Sequence, residues 1–188
     1  MRAPGDAVAE TVRLRLRNWR EGDAEAFFRH TNTENVMRWL GGVKTRDFLD
    51  GVVHERFMRW QAELGFTFWV VERKAEGAFL GFCGLKIADG SNSSVGGAVE
   101  IGWRFREDAW GQGYAREAAT AALGHAFETV GAERVIALTV DGNRASWGLM
   151  IRLGMERRRD LDYVDPDWPP SMNPVIVYEI EKSRWTDS

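Results

Sequence analysis

The alternation of apolar and polar residues predicts the first strands and helices of the chain. Residues 12–17 read Val-Arg-Leu-Arg-Leu-Arg, which indicates a strand with one buried face and one solvated face that carries the arginines. Asp23 can cap a short helix after this strand. Thr45 can cap a longer helix, whose apolar side chains recur at helical spacing until Gly65 ends it. The first third of the chain is therefore expected to be mainly helical after one strand.

From Phe66 onward, strand patterns dominate. The elements predicted in this part are, in order, strands at 66–72 and 79–87 joined by a turn at Gly77, a strand at 99–106, a helix that ends at Gly131, a strand at 134–140, a short helix closed by Gly154, and strands at 155–163 and 175–181. This order predicts an α/β (α+β) fold in which helices flank a mixed, mostly antiparallel sheet. We expect a flexible tail at residues 1–10 and one domain over residues 11–185.

Composition and charge exclude several classes of protein. Of the 188 residues, 44% are hydrophobic and 28% charged, as in an ordinary soluble domain, so widespread disorder is excluded. The formal net charge of −3 argues against nucleic acid or a membrane surface as the main partner. The single cysteine, Cys83, cannot form an internal disulfide, and no Cys/His cluster has the spacing of a zinc site. We therefore expect a cytoplasmic protein without a metal.

A glycine-containing turn connects the strand at 99–106 to the helix after it. Gly111 and Gly113 let the backbone approach a ligand closely, and the first turn of the helix presents main-chain N–H groups without partners inside the helix. Together they can form an anion site, most naturally for a phosphate or pyrophosphate. The same residues could also form a tight connection that binds nothing. A dinucleotide fingerprint is excluded, because Arg116 stands where its third glycine would be.

Two motifs resemble those of the GNAT superfamily of N-acetyltransferases. The first is Glu100-Ile-Gly-Trp103 followed by Trp110-Gly-Gln-Gly-Tyr-Ala115, in which Gly113 and Ala115 fill the last two positions of the acyl-CoA signature Gln/Arg-x-x-Gly-x-Gly/Ala. The second is Asn143-Arg-Ala-Ser146 after a strand. Trp110 stands where Gln or Arg is commoner in the family. That departure is frequent in the branch that includes ribosomal-protein N-terminal (alanine/serine) acetyltransferases, so the resemblance favours this branch.

The resemblance implies a GNAT fold and acetyl-CoA as co-substrate, with no metal. Main-chain N–H groups would hold the CoA pyrophosphate; they belong to Gly111, Gln112, Gly113, Tyr114, Ala115 and Arg116. The main chain of Arg104, Phe105 and Arg106 would pair with pantetheine, as a peptide adds to the edge of a sheet. The N–H of Arg104 would also polarise the thioester carbonyl. Asn143 would hydrogen-bond the pantetheine arm.

Two residues are candidates for catalysis. Glu100 matches the position of a general base in several GNAT enzymes, and the alternative is that it only makes a structural salt bridge. Ser146 could protonate the departing thiolate, or it could merely cap the helix that starts near Ala145.

The acceptor implied by the resemblance is a primary amine, and the leading expectation is the N-terminal α-amine of a protein or peptide. The alternatives are a small-molecule amine, including an antibiotic, or a non-catalytic acyl-CoA-binding module. We expect the segments 32–45, 89–97 and 162–173 to build the acceptor side. The last contains Asp162, Asp165 and Asp167, which could attract a cationic amine or could simply be solvated. The protein is expected to act as a monomer or homodimer.

Overall fold

One eight-stranded sheet organises the chain in a computed structural model that describes residues 5–186. The strands are β1 (Ala7–Glu10), β2 (Leu14–Arg17), β3 (Phe68–Arg73), β4 (Ala78–Ile87), β5 (Val99–Phe105), β6 (Arg134–Val140), β7 (Glu156–Arg157) and β8 (Val175–Glu181). Their order in the sheet is β1-β2-β3-β4-β5-β6-β8-β7, and β5 with β6 forms the parallel pair among otherwise antiparallel neighbours. The predicted mixed, mostly antiparallel sheet is thus confirmed.

Residues 5–186 contain six α-helices, and the helices predicted after Asp23, from Thr45 to Gly65, up to Gly131 and up to Gly154 are among them. They are α1 (Asp23–Thr31), α2 (Glu34–Met37), α3 (Arg46–Gly51), α4 (Arg59–Leu64), α5 (Tyr114–His125) and α6 (Arg144–Arg152). A π-helical segment, Val52–Met58, joins α3 to α4, and a second one, Ala126–Val130, extends α5. Single 3₁₀ turns occur at Glu107–Ala109, Arg159–Leu161, Pro170–Met172 and Lys182–Arg184. The left-handed φ values of Gly65 (78°) and Gly131 (74°) end the two long helical stretches, as the sequence indicated.

The two faces of the sheet are covered differently. On one face lies α5, whose small side chains Ala118, Ala119 and Ala122 are fully buried and let the helix approach the strands closely. The other face is covered by α1, α3 and α4 through a cluster of aromatic and aliphatic side chains that includes Phe27 and Phe82. The apolar side chains that recur along the predicted helix between Thr45 and Gly65 therefore belong to this core.

The structure differs from the predictions at both edges of the sheet. Residues 7–10, expected in a flexible tail, form β1 and pair antiparallel with β2. No residue of β1 is fully buried, and its sequence shows little apolar alternation. Residues 1–4 lie outside the described part of the chain. The strand predicted at 155–163 shortens to the two residues of β7, after which the chain turns.

The predicted solvated arginine face of β2 is wrong for Arg17. Its guanidinium is buried, and its nitrogen atoms lie 2.7 Å from a carboxylate oxygen of Asp23 and 2.7 Å from one of Glu72. Burial lowers the pKa of Arg17, but the two carboxylates outweigh it and raise the pKa overall. Asp23 does not cap α1, since Gly22 occupies the capping position. The Asp23 carboxylate instead accepts a hydrogen bond from the Arg20 main-chain N–H. This ion-pair network ties β2, β3 and α1 together.

Replacement of Arg17 by methionine is expected to lower the free energy of unfolding by about 3 kcal/mol or more, because two buried carboxylates lose their shared cation. Urea denaturation measures the change. The matched control is Arg15→Met, which removes an exposed arginine of the same strand and is expected to cost less than about 1 kcal/mol. Equal losses for the two variants would contradict the importance of the buried network.

Candidate active site between the parting strands

The central strands β5 and β6 touch at one point and then separate. Their parallel pairing consists of Glu100 opposite Ile136. Beyond that point β5 stays paired with β4 as far as Phe105, while β6 stays paired with β8 as far as Val140. A gap therefore opens between the carboxyl ends of two neighbouring parallel strands, which is where ligands bind in many α/β proteins.

The pairing of β5 with β4 decides which main-chain groups face this gap. Arg106 donates its N–H to Leu80 O at 2.9 Å, and antiparallel hydrogen bonds alternate along a ladder, so Arg104 also bonds to β4 through its main chain. Main-chain groups of Trp103 and Phe105 point the other way, toward the gap. The expected pantetheine pairing is thus wrong for the main chain of Arg104 and Arg106, and the N–H expected to polarise the thioester is already used at Arg104.

The turn after β5 has the form predicted for an anion site. Gly111 and Gly113 have left-handed φ values of 72° and 81°, and Gly113 is the capping residue of α5. No carbonyl or side chain within residues 5–186 accepts a hydrogen bond from the main-chain N–H groups of residues 111–116. Trp110, at the position unusual for the signature, donates its indole N–H to Phe105 O at 3.0 Å and so connects the turn to the end of β5.

Arg13, which lies just before β2, contacts this turn, and the sequence did not reveal that contact. It lies 2.7 Å from a carboxylate oxygen of Glu117, donates to Gln112 O at 2.9 Å and covers the ring of Tyr114. Burial raises the pKa of Glu117, but hydrogen bonds from Thr11 and Arg13 lower it by more, so the pKa lies below its ordinary value. The alternation of β2 carries no sign of this role, because the contact joins elements about 100 residues apart.

The other helix at the gap is α6, which has Asn143 as its capping residue and Ser146 in its first turn. Because β5 and β6 are parallel, the helices that follow them, α5 and α6, start at the same edge of the sheet. Asn143 caps α6, its side-chain oxygen accepting from Ser146 N at 3.4 Å. Ser146 is therefore not the cap, which leaves its hydroxyl for other work. Trp39 covers the turn before α6, and a side chain at Gly142 would lie 2.6 Å from its ring.

Glu100 is a buried carboxylate at the point where the strands part. The Lys86 ammonium, opposite it on β4, lies 3.3 Å from Glu100 Oε2 and also pairs with Asp89. Burial raises the pKa of Glu100 above its ordinary value of 4.5, although Lys86 opposes the shift. Burial also lowers the pKa of Lys86, but its carboxylate neighbours outweigh this and raise it. Tyr163 lies nearby, and burial raises its pKa as well.

The three segments expected to build the acceptor side meet one another. Asn92 donates to Val164 O at 3.1 Å, and Ser91 hydrogen-bonds Asp167, so the second and third segments are joined. A side chain at Gly41 would lie 3.2 Å from the ring of Trp168, which brings the first segment to the third. These segments therefore contact one another rather than forming separate surface loops.

A family model described as "Acetyltransferase (GNAT) domain" matches residues 13–156. The chain belongs to the GNAT acetyltransferase family. It is 31% identical over 183 residues to the uncharacterized protein YkkB of Bacillus subtilis, covering 95% of this chain and 97% of that protein. Its fold is similar to an acetyltransferase from Agrobacterium tumefaciens, with a TM-score of 0.76, 24% identity and coverage of 97% and 96%. A spermidine N-acetyltransferase from Vibrio cholerae, in complex with CoA and spermine, also shares the fold, with a TM-score of 0.67, 17% identity and coverage of 93% and 98%.

GNAT acetyltransferases use acetyl-CoA, and the residues of this chain fit that molecule. The N–H groups of residues 111–116, which donate to no acceptor within residues 5–186, suit a pyrophosphate. The edge of β5 that β6 leaves at Trp103 and Phe105 suits an extended pantetheine arm, with Phe105 O also accepting from the Trp110 indole. No helix in the described range has the length and apolar character of a membrane span. Across residues 5–186, no group of three or more metal-ligating side chains comes together.

Gly113→Val is expected to weaken CoA binding at least about tenfold, the effect of losing about 1.4 kcal/mol of anion contacts. A β-branched residue resists the left-handed φ of 81°, so the first turn of α5 and its N–H groups must shift. Isothermal titration with CoA measures the affinity.

The matched control for that experiment is Gly77→Val. Gly77 also has a left-handed φ, 67°, and open space around it, but it lies in the turn between β3 and β4. Its CoA affinity should stay within about twofold of wild type, since no binding group moves. Unchanged affinity in Gly113→Val would refute the assignment of the turn to pyrophosphate.

Proposed function

We propose that this GNAT acetyltransferase moves an acetyl group directly to a primary amine, with the N-terminal α-amine of a peptide or protein as its leading acceptor. Acetyl-CoA, when bound, supplies the acetyl group as a thioester. The ribosomal-protein branch indicated by Trp110 belongs to this proposal, as does the cytoplasmic location expected from Cys83. The observation that carries the proposal is the burial of Glu100 where β5 and β6 part.

Glu100 is suited to the role of general base. A carboxylate with a raised pKa accepts a proton more readily, and this one is held in place by Lys86 on the neighbouring strand. In the proposed reaction Glu100 takes a proton from the acceptor ammonium, directly or through water, and so frees the amine to attack. The same carboxylate, before the transfer, attracts the charged amine to the gap.

The other residues of the gap have supporting roles in this proposal. Main-chain N–H groups of residues 111–116 bind the pyrophosphate, and the main chain of Trp103 and Phe105 aligns the pantetheine arm. The side-chain amide of Asn143 hydrogen-bonds that arm while its oxygen caps α6. The hydroxyl of Ser146, which is not needed for capping, donates a proton to the departing thiolate and takes up the proton that the acceptor nitrogen loses as the amide forms, so the serine ends unchanged.

The preference for an α-amine follows from acid–base chemistry. Its pKa of about 7.7–8.0 lies well below the value of about 10.4 for lysine, so at neutral pH the reactive neutral form is several hundred times more abundant. A base that acts through water therefore serves an α-amine more easily. The second candidate is a small-molecule amine, for which the named activity of the Vibrio cholerae neighbour gives a precedent on this fold.

Wild-type protein is expected to acetylate α-amine peptides faster than lysine side chains, polyamines or aminoglycosides, with thiol release as the readout. Glu100→Gln is expected to lower kcat by about 100-fold or more, the usual contribution of a general base. Glu76→Gln, in the exposed turn before β4, serves as the control and should keep wild-type turnover. If wild type binds CoA but acetylates no amine, the proposed activity is wrong.

Lys86→Met is expected to move the acid limb of the kcat/KM profile to higher pH. The reaction needs Glu100 deprotonated, so the rate falls as the pH drops below its pKa. Lys86 is the cation that holds this pKa down, and without it burial raises the pKa further. Lys74→Met removes an exposed lysine of equal charge and should leave the limb in place. A limb that does not move in Lys86→Met would exclude Glu100 as the titrating group.

A further inference from the structure

Arg104 carries a largely buried cation that has no anionic partner among residues 5–186. Its Nε and Nη1 atoms are buried and make no hydrogen bond within the described part of the chain. The guanidinium carbon lies 5.1 Å from the ring centre of Phe27 and 5.3 Å from that of Phe82. Burial lowers the pKa of Arg104 to about 10. Because an unpaired buried charge destabilises a fold, its retention calls for a partner from outside the chain.

Other buried or loop charges near this region are already paired. Arg17, on the same face of the sheet, has two carboxylates. Asp162, in the acidic segment that could have attracted a cation, forms a bidentate pair with Arg157, and Asp167 accepts from Ser91. Asp162 and Asp167 are thus engaged by the chain itself, whereas Arg104 has no anionic partner in the described part of the chain.

Arg104 lies on the same face of β5 as Glu100. Side chains alternate along a strand, so residues 100, 102 and 104 share the face covered by Phe27 and Phe82. Four residues of strand place the two Cα atoms about 13 Å apart. The ring of Phe68 lies over Gly102, where an added Cβ would come within 2.8 Å of it, and so separates the two charged groups.

The opposite face of β5 faces α5. Ile101 and Phe105 point into the core beneath that helix, whose first turn contains the free N–H groups assigned to pyrophosphate. Arg104 is therefore on the other side of the sheet from the CoA phosphates. Its partner is expected to come from the acceptor rather than from CoA.

We propose that Arg104 binds a carboxylate of the acceptor, so that the substrates of this enzyme are amines that also carry a carboxylate. This inference rests on the proposed function, in which Glu100 receives the amine. A guanidinium matches a carboxylate through parallel N–H donors, and such charge-assisted pairs are stronger where water is scarce. The carboxylate can belong to a free amino acid or to an acidic side chain beside a peptide N-terminus.

Matched acceptor pairs test the inference and distinguish the two sources. One pair is 4-aminobutyrate and 4-aminobutanamide; the other is the C-terminally amidated dipeptides Ala-Asp and Ala-Asn. With acetyl-CoA saturating, wild type is expected to favour the carboxylate member of at least one pair by about tenfold or more in kcat/KM. A preference in the first pair indicates a free amino acid, and one in the second pair indicates an acidic peptide.

The variants are Arg104→Met, which removes the charge, and Arg104→Lys, which keeps it without the planar fork. In Arg104→Met the carboxylate preference is expected to fall by about tenfold or more, through KM, and Arg104→Lys is expected to keep part of it. The control is Arg46→Met, since Arg46 also lies over an aromatic ring, that of Phe28, but is paired with Glu25 and Asp50. Its preference should match wild type. A preference that persists in Arg104→Met would overturn the inference.

Two further measurements keep the test decisive. If Arg104→Met does not fold, butanoate is expected to compete with the acceptor in wild type more strongly than butanamide, and less so in Arg104→Lys; equal inhibition overturns the inference. If wild type acetylates neutral amines without any carboxylate preference, the inference fails and the proposed function stands. If it acetylates no amine at all, the proposed function fails and this inference fails with it.

Discussion

The separation of β5 from β6 is the constraint on which the rest of the site depends. A strand in the middle of a sheet normally uses its main-chain groups on both sides, and burying them unpaired is costly. Here β5 is paired with β4 along its length but with β6 only at Glu100, so Trp103 and Phe105 have main-chain groups on an open edge. Because the two strands are parallel, both helix N-termini gather at that edge, and donors for an extended, anionic ligand collect in one place.

The fold could be predicted from the sequence because its main elements follow local rules. Apolar spacing and glycines with left-handed φ, such as Gly65 and Gly131, set the helices, and the alternation around Gly77 set the hairpin. The glycine turn at 111–113 could also be predicted, because glycine is the residue that adopts the left-handed φ found there. What remained hidden needed contacts between distant elements: β1, the burial of Arg17 and the position of Arg13 beside Gln112.

The main-chain register illustrates why site residues are harder to predict than motifs. A motif places residues 104–106 on the strand, but which of them points into the gap depends on a one-residue choice of ladder phase. The hydrogen bond from Arg106 N–H to Leu80 O sets that phase, and as a result the main-chain groups of Arg104 point toward β4. The side chain of Arg104 then points to the face of Phe27 and Phe82, where its charge has a different use.

The contact between Trp39 and Gly142 means that the size of the side chain tolerated at one of these positions depends on the residue at the other. The indole ring occupies the space that any side chain at 142 would need, and it does so one residue before the cap of α6. A larger residue at 142 must therefore displace the segment that carries Trp39, and a smaller residue at 39 would uncover the start of α6. Substitutions of Trp39 that alter the segment 32–45 are therefore limited to those that the turn before Asn143 can accommodate.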